Sequence, residues 1–230
     1  MLNPKTFKTI KVLPTTIMDT KTRILQQASA MFFRYGIRSI TMDEIAQSIG
    51  ISKRTLYESF SNKEDLLTHC IEYQHLENKR FRDLILSENE DDPLEIIHQH
   101  FRQALIILNS LHPNFFNDLR KYHPRIWKEQ IESKQEENIE FTTSMIMLGA
   151  SKGVFLENEH PEILSSMIHS MMQMITLGDI FPETRYPRSE VIRQVMLNFI
   201  RGLATEEGLK LIDEKFSQNP SGINQNPKSY

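Results

Sequence analysis

Between residues 20 and 35 the large apolar side chains fall at Ile24, Ala28, Met31, Phe32 and Tyr35. Intervals of three and four place them along one side of a helix. Asp19 or Thr20 caps its start, and Tyr35-Gly36 ends it. A shorter pattern follows. Thr41 with Glu44 three positions on forms a capping box, and Ile40 and Ile45 flank it as a hydrophobic staple. The helix they open runs through Ala46 and Ile49 to Gly50, which can adopt the positive φ that stops a helix and reverses the chain. Ser52 caps a third helix, with Ile51 and Leu56 repeating the staple. On it Leu56 and Phe60 share the core face, while Arg54, Thr55, Tyr57 and Glu58 spread over the opposite one.

Beyond this point the helices lengthen. Ser61 and Glu64 make another capping box and open a helix reaching about Ser87, which joins the N-terminal helices to the rest. The acidic run 87–92 breaks it, and Asp92-Pro93 starts the next helix, with a stripe of Ile97, Phe101, Leu105 and Leu108 that ends before His112-Pro113. A short segment occupies residues 115–122. Pro124 then opens a long helix through Trp127, Ile131, Phe141, Met145 and Leu148 to about Gly149 or Gly153. Two more helices span roughly 161–178 and 187–203. The first carries Ile163, Leu164, Met167, Ile168, Met171, Met174 and Ile175, a stripe too wide for one buried side, so it faces both a core and something else. A short helix, 205–216, closes an all-α chain of about nine to ten helices.

The second and third helices have helix-turn-helix form, with small Ala46 allowing their close approach. The outer face of the third offers a guanidinium, a hydroxyl and a phenol, suited to guanine edges, thymine methyls and phosphate oxygens in a major groove. The plainer alternative is a solvated surface helix of an ordinary bundle.

The run TMDEIAQSIGISKRTLYESFSNKEDLL (41–67) resembles the signature of the tetracycline-repressor (TetR) family of bacterial transcription regulators, and its place after one amphipathic helix agrees. The resemblance covers roughly residues 20–67; beyond that only helix lengths and order agree. It implies that Thr55 and Tyr57 contact bases and phosphates, and that Lys63 grips the backbone. Ser52, Lys53 and Arg54 would lie close to the DNA, and Thr41 completes the candidate set. Where many members have a second aromatic and then histidine, this chain has Glu58 and Ser59. Glu58 either accepts from a cytosine amino group or pairs with Arg54 four positions earlier, and the pair is the favoured reading. The resemblance further implies an N-terminal three-helix domain, 18–64, followed by a helical ligand-binding and dimerisation domain, 65–216, whose first part (65–87) is the connecting helix. The dimer would form through the helices near 161–178 and 187–203, and a two-fold dimer doubles the base pairs read in a palindromic operator.

Charge supports the same division. Residues 1–63 hold ten Lys and Arg against four Asp and Glu, and the remaining 167 residues hold seventeen against twenty-six. Basic charge is concentrated where DNA would bind, and the rest is mildly acidic. With 230 residues, 39% of them hydrophobic, the chain can bury one sizeable core or two modest ones. The single cysteine, Cys70, allows no internal disulfide and no multi-cysteine metal site, in keeping with a cytoplasmic protein. No apolar run reaches the roughly eighteen residues of a membrane span, and the N-terminus lacks a signal-peptide core. Residues 1–17 show no helical period and contain two prolines. They read as a basic arm along a groove, as a flexible extension, or as a stretch preceding a natural start at Met18. Residues 217–230 read as disordered polar chain.

The resemblance also implies a ligand cavity among the middle helices. Candidates for its lining are Phe101, Leu105, Phe116, Trp127, Phe141 and Met145, with Tyr122 or His123 as polar handles, although each also reads as ordinary core. The abundance of Met favours a flexible, apolar or planar effector. No cofactor is implied. The chain has no glycine-rich phosphate loop, no G-x-S-x-G and no H-E-x-x-H, and His98 and His100, two apart on a helix, point to different faces, so neither an enzyme nor a metal site is expected. A nucleoid-associated or adaptor protein using the same DNA-binding head without a ligand is the alternative, and a fully packed C-terminal domain would favour it.

Overall fold

The computed structural model describes residues 19–178, 180–182 and 185–217, so the predicted extension at 1–17, the start-site alternatives and the tail from 218 lie outside it. Helix α1 (Thr20–Tyr35) begins on Asp19, whose carboxylate accepts from Thr22 N at 2.7 Å, and ends at Gly36. Helices α2 (Met42–Ile49) and α3 (Lys53–Ser59) follow, and then α4 (Lys63–Glu88). The cap of α4 differs from the predicted Ser61/Glu64 box. Asn62 Oδ1 accepts from Asp65 N at 2.9 Å, while the Asp65 carboxylate takes Ser61 N at 2.8 Å and Ser61 Oγ at 3.0 Å. Asparagine caps as well as serine does, and a start at Lys63 leaves the Ser61 N–H satisfied by the returning carboxylate.

Helices α5 (Pro93–Ser110) and α6 (Phe115–Tyr122) form as the pattern predicts, α5 on an Asp92 cap with proline just inside. The long helix expected from Pro124 is instead composite. A single turn, α7 (Pro124–Ile126), runs into a π-helical turn (Trp127–Ile131) and a 3-10 turn (Glu132–Lys134) before α8 (Gln135–Ser151). Trp127 is the physical reason. Its indole is buried against the N-terminal helices and donates to Glu132 Oε1 at 2.7 Å, whereas α8 serves a different core, so the helix re-phases between them. Helices α9 (Pro161–Leu177), α10 (Arg188–Leu203) and α11 (Glu206–Ser217) complete the described chain. An isolated antiparallel bridge, Phe155 to Ala204, ties the end of α8 to the start of α11.

The largest core is built by Ile24, Ala28 and Phe32 of α1, Ile45 of α2, Leu56 of α3, and Leu66, Leu67 and Cys70 of α4. Leu111, Phe115, Leu119, Ile126 and Trp127 belong to the same cluster, though they lie forty or more residues beyond the helix-turn-helix. His112 N donates to Phe33 O at the same seam, and its ring lies against Gly36, where a β-carbon would come within 3.2 Å of Nδ1. The reading head is therefore packed onto α6 and the π turn as well as onto α4. Burial inside this core pushes the Cys70 thiol up to about 12, which leaves it protonated at neutral pH. Helices α5, α8, α9, α10 and α11 make the second body, in clusters around Leu94, Phe155 and Ile212, around Phe101 and Ile192, and around Ile85, Ile96 and Met145.

A shared core has a measurable consequence. Leu119 is fully buried, and its truncation to Ala is expected to cost about 2 to 5 kcal/mol. Trp127 is the only tryptophan and sits in the same cluster, so its emission reports on the seam. In denaturant, Leu119→Ala should shift the Trp127 transition and the loss of N-terminal helix together; separate transitions would show two independent units.

Candidate nucleic-acid interface

The geometry of α2 and α3 follows from their caps. Thr41 N and Oγ1 both donate to Glu44 Oε2 at 2.8 Å, and Glu44 N returns to Thr41 Oγ1 at 3.2 Å, closing the box. Ile40 and Ile45 are buried beside it as the staple. Gly50 takes φ 74° and ψ 34°, the left-handed conformation that a glycine adopts without strain, and its N–H reaches Gln47 O at 3.1 Å. Ser52 Oγ then accepts from Thr55 N at 3.0 Å and lies 2.8 Å from Thr55 Oγ1. Leu56 and Phe60 are buried, which fixes the azimuth of α3 and turns its other side outward.

On that outward side Tyr57 is 50% exposed, a large share for an aromatic without a partner surface. Arg54 is exposed, and its Nε donates to Glu58 Oε1 at 2.8 Å, so the intrahelical pair is formed in the free protein. Such an exposed pair contributes little and can open when a phosphate or base approaches. Lys53 pairs with Asp43 across the turn, which offsets part of its charge. Ser59 turns back to bond Thr55 O at 3.1 Å. Lys63, the first residue of α4, is half-buried; burial lowers its pKa, and the Glu44 carboxylate acts against that shift. Thr41, Ser52, Lys53, Arg54, Thr55, Tyr57 and Lys63 thus lie within α2, α3 and their caps, or at the first turn of α4.

The predicted cavity-lining residues divide. Phe101, Phe141 and Met145 line a partly enclosed cavity of about 320 Å³ between α5, α8, α9 and α10. Leu105 packs beside Phe101 outside that lining. Phe116 and Trp127 belong instead to the core around the helix-turn-helix. Tyr122 is exposed, with the Arg38 guanidinium 4.9 Å from its ring centroid, and the His123 Nδ1 approaches Glu64 at 3.9 Å. They belong to the seam because the chain reverses at His112-Pro113 and carries α6 back to α1, a turn that helix periodicity does not reveal.

Five polar residues of the wall escaped the sequence reading of the cavity: His100, Asn138, Thr142, His169 and Thr176. Thr142 Oγ1 donates to Asn138 O at 3.1 Å and lies 2.9 Å from His169 Nε2, so that ring nitrogen is the donor of the second bond. The His100 ring lies 4.9 Å from that of Phe141, tilted by 51°, and the Phe141 ring also lies 5.3 Å from the Arg82 guanidinium of α4. Arg82 donates to Asn138 Oδ1 at 2.9 Å and to Glu137 Oε1 at 2.8 Å. Burial, with Arg82 and His169 adding positive charge, lowers the His100 pKa to about 4, and burial lowers that of His169 as well. The signal available in the sequence was a histidine interrupting the apolar stripe of α5 between Ile97 and Phe101.

Two capped helices around a left-handed glycine, with a basic and aromatic outer face, define a helix-turn-helix DNA-binding protein. Residues 24–70 match the family model described as bacterial regulatory proteins, tetR family. The chain is 33% identical over 110 residues to the HTH-type transcriptional regulator YvaF of Bacillus subtilis (strain 168), covering 46% of this chain and 55% of that protein. It is 24% identical over 204 residues to YvkB of the same organism, covering 81% and 98%. Among solved structures, a TetR-family regulator from Marinobacter aquaeolei VT8 superposes with a TM-score of 0.66 at 22% identity, over 87% of this chain and 98% of that one. SmeT, the repressor of the Stenotrophomonas maltophilia multidrug efflux pump SmeDEF, does so with 0.59 at 17% identity, over 82% and 92%. Residues 24–70 thus carry the tetR-family helix-turn-helix, and the fold of the whole is that of the TetR-family structures it superposes on.

The capping box carries a pH dependence. Bonds from the Thr41 hydroxyl and N–H hold Glu44 below the usual glutamate range. A depressed carboxylate contributes stability above its unfolded pKa and loses it as pH falls through the folded value. Thr41→Ala is expected to destabilise the protein at about pH 7, and the gap between variant and wild-type denaturant midpoints should narrow below about pH 4.

Proposed function

We propose that this protein is a homodimeric, ligand-responsive transcription regulator, a repressor, that acts in the cytoplasm on a palindromic operator. The observation that carries the reading is the run of α4. This one helix starts at Lys63 beside the groove-reading face and, roughly 28 Å on by helical rise, presents Arg82 to Phe141 and Asn138 in the cavity wall. A ligand that moves Phe141 or Asn138 would tilt α4 and change the separation of two reading heads, which operator half-sites fix near 34 Å. Thr55 and Tyr57 read bases and phosphates from α3, helped by Ser52, Lys53 and Arg54, and Lys63 holds the backbone. Thr41 keeps α2 in register for them. The reading head extends over 18–64 and the effector and dimer unit over 65–216, with α6 and the π turn docked between them.

A structural neighbour supports the reading, since SmeT is described as a repressor and is also solved in a complex with the small molecule triclosan. The cavity counts against the alternative of a ligand-free nucleoid or adaptor protein, which would be expected to pack that space. For the dimer, α9 supports the reading: Ile168 and Ile175 are buried, while Ile163, Met167 and Met174 on its other side are 46 to 60% exposed. Apolar exposure in such a stripe is what an intersubunit four-helix bundle with α10 covers. Among the described residues no helix is long and apolar enough to cross a membrane.

Two measurements test the reading head and one the dimer. Tyr57→Ala or Thr55→Ala should weaken specific operator binding by about 1 to 3 kcal/mol with the fold intact, and an unchanged footprint would remove α3 as the reading face. Lys63→Ala should weaken binding on all sequences alike and reduce the salt slope by about one per half-site. Light scattering at micromolar concentration should give a dimer for the wild type and a monomer for Met167→Lys. A wild-type monomer would contradict the bundle.

A further inference from the structure

The cavity wall is apolar except at a few points, and the chemistry of those points is one-sided. His100, Asn138, Thr142, His169 and Thr176 supply its polar atoms, and no carboxylate lines it. The groups bearing on His100 are Arg82 from α4 and His169 from α9, and the Glu137 carboxylate, bonded to Arg82, offsets the guanidinium charge. From α10 the lining is Ile192, Met196, Phe199, Ile200 and Leu203, which carry no charge. With Arg82 paired and both imidazoles held neutral by burial, the wall offers no counter-charge to a cation.

The two imidazoles are not equivalent. His169 is held through Nε2 by Thr142, but among the described residues no hydrogen bond engages the His100 ring, which lies tilted against Phe141. A neutral imidazole carries one donor and one acceptor, and those of His100 face a partly enclosed apolar space where a ligand can take them up. The complementary group on a ligand is one that donates a proton in a hydrogen bond to the imidazole and, when ionised, meets no carboxylate among the described lining residues: a carboxyl or phenolic hydroxyl.

We propose that this cavity binds a weakly acidic, otherwise apolar small molecule, a carboxylic acid or a phenol, with its acidic group on His100 and its body along Phe101, Phe141, Met172 and Phe199. The assignment rests on the ligand-responsive reading above and names the class of effector. A carboxylic acid that is ionised in water meets a neutral His100, so the complex carries one proton more than its separate parts. That proton comes from solvent and is shared between carboxylate and imidazole.

Titration calorimetry of the full-length wild type with decanoate, decanol and decylamine, which share one apolar body, tests this. Decanoate should bind about tenfold more tightly than decanol, and decylamine not measurably. In buffers of different ionisation enthalpy, decanoate binding near neutral pH should take up about one proton per site and decanol none. His100→Phe should keep decanol binding and bring decanoate to within about twofold of it. If that variant does not fold, His100→Gln and the wild-type proton count decide the matter. Equal affinity for acid and alcohol, a preference for the amine, decanoate binding unchanged in His100→Phe, or no binding of any probe would overturn the proposal. Those failures leave the regulator reading to the operator footprint. Decanoate bound with proton uptake but without effect on operator affinity would uphold the site chemistry and remove the ligand response.

Discussion

Helix α4 belongs to two cores at once, and that constraint organises the molecule. Leu66, Leu67, Cys70 and Ile71 on its first turns pack among α1, α2 and α3, and Phe81, Ile85 and Leu86 pack with Ile96 and Met145 of the second body. A helix of this length bends little, so a displacement at one end is carried to the other rather than absorbed. Apolar burial fixes both ends, and polar bonds set the angle between them. Gln130 of the π turn donates to Glu72 at 3.1 Å midway along α4, and Arg82 clasps α8 further on.

The second tie between the bodies is less visible in the chain order. Residues 111–127 leave the cavity wall at the end of α5, cross the seam, and enter the core of the reading head through Leu111, Phe115, Leu119, Ile126 and Trp127. The head is thus gripped from two directions, by a continuous helix and by a returning loop. Both routes end at the cavity: α4 through Arg82 on Asn138 and Phe141, and the loop through α5, which brings His100 and Phe101. The proposed ligand between α5 and α8 would therefore act on both ties together. A transmission route needs two arrangements of packed elements whose balance the ligand biases, and the π turn is the segment with the weakest helical geometry in which such a change can occur.

The reading head was legible because its signals are local. A capping box, two staples and a glycine at the turn lie within a dozen residues, and each does in the structure what its chemistry predicts. The helices of the second body were legible from periodicity, down to the double-faced stripe of α9, whose Ile168 is buried while Met167 is exposed. What periodicity does not encode is which stripe meets which. Phe116 and Trp127 have the same apolar character as Phe141 and Met145, yet the reversal at His112-Pro113 sends the first pair to the reading head and leaves the second at the cavity. The break between α7 and α8 was hidden for a related reason. A π turn satisfies its own backbone and leaves the apolar spacing nearly unchanged, so only the competing demands of two cores reveal it.

His100 shows how a polar residue in an apolar stripe can be weighed. As half of a pair with His98 it is without chemistry, because the two rings point apart: His98 lies 5.1 Å from Phe216, and His100 lies 4.9 Å from Phe141. As a member of α5's buried face it interrupts a surface that leucine or methionine would fill without cost. Its ring nitrogens are instead left facing the cavity, where a polar group on a ligand can reach them. Its neighbours sharpen the point, since Thr142 satisfies His169 a few ångströms away and equally small donors or acceptors beside His100 would have been easy to accommodate. Under the proposed ligand response, a ligand that supplied that bond would make the occupied state the more complete one.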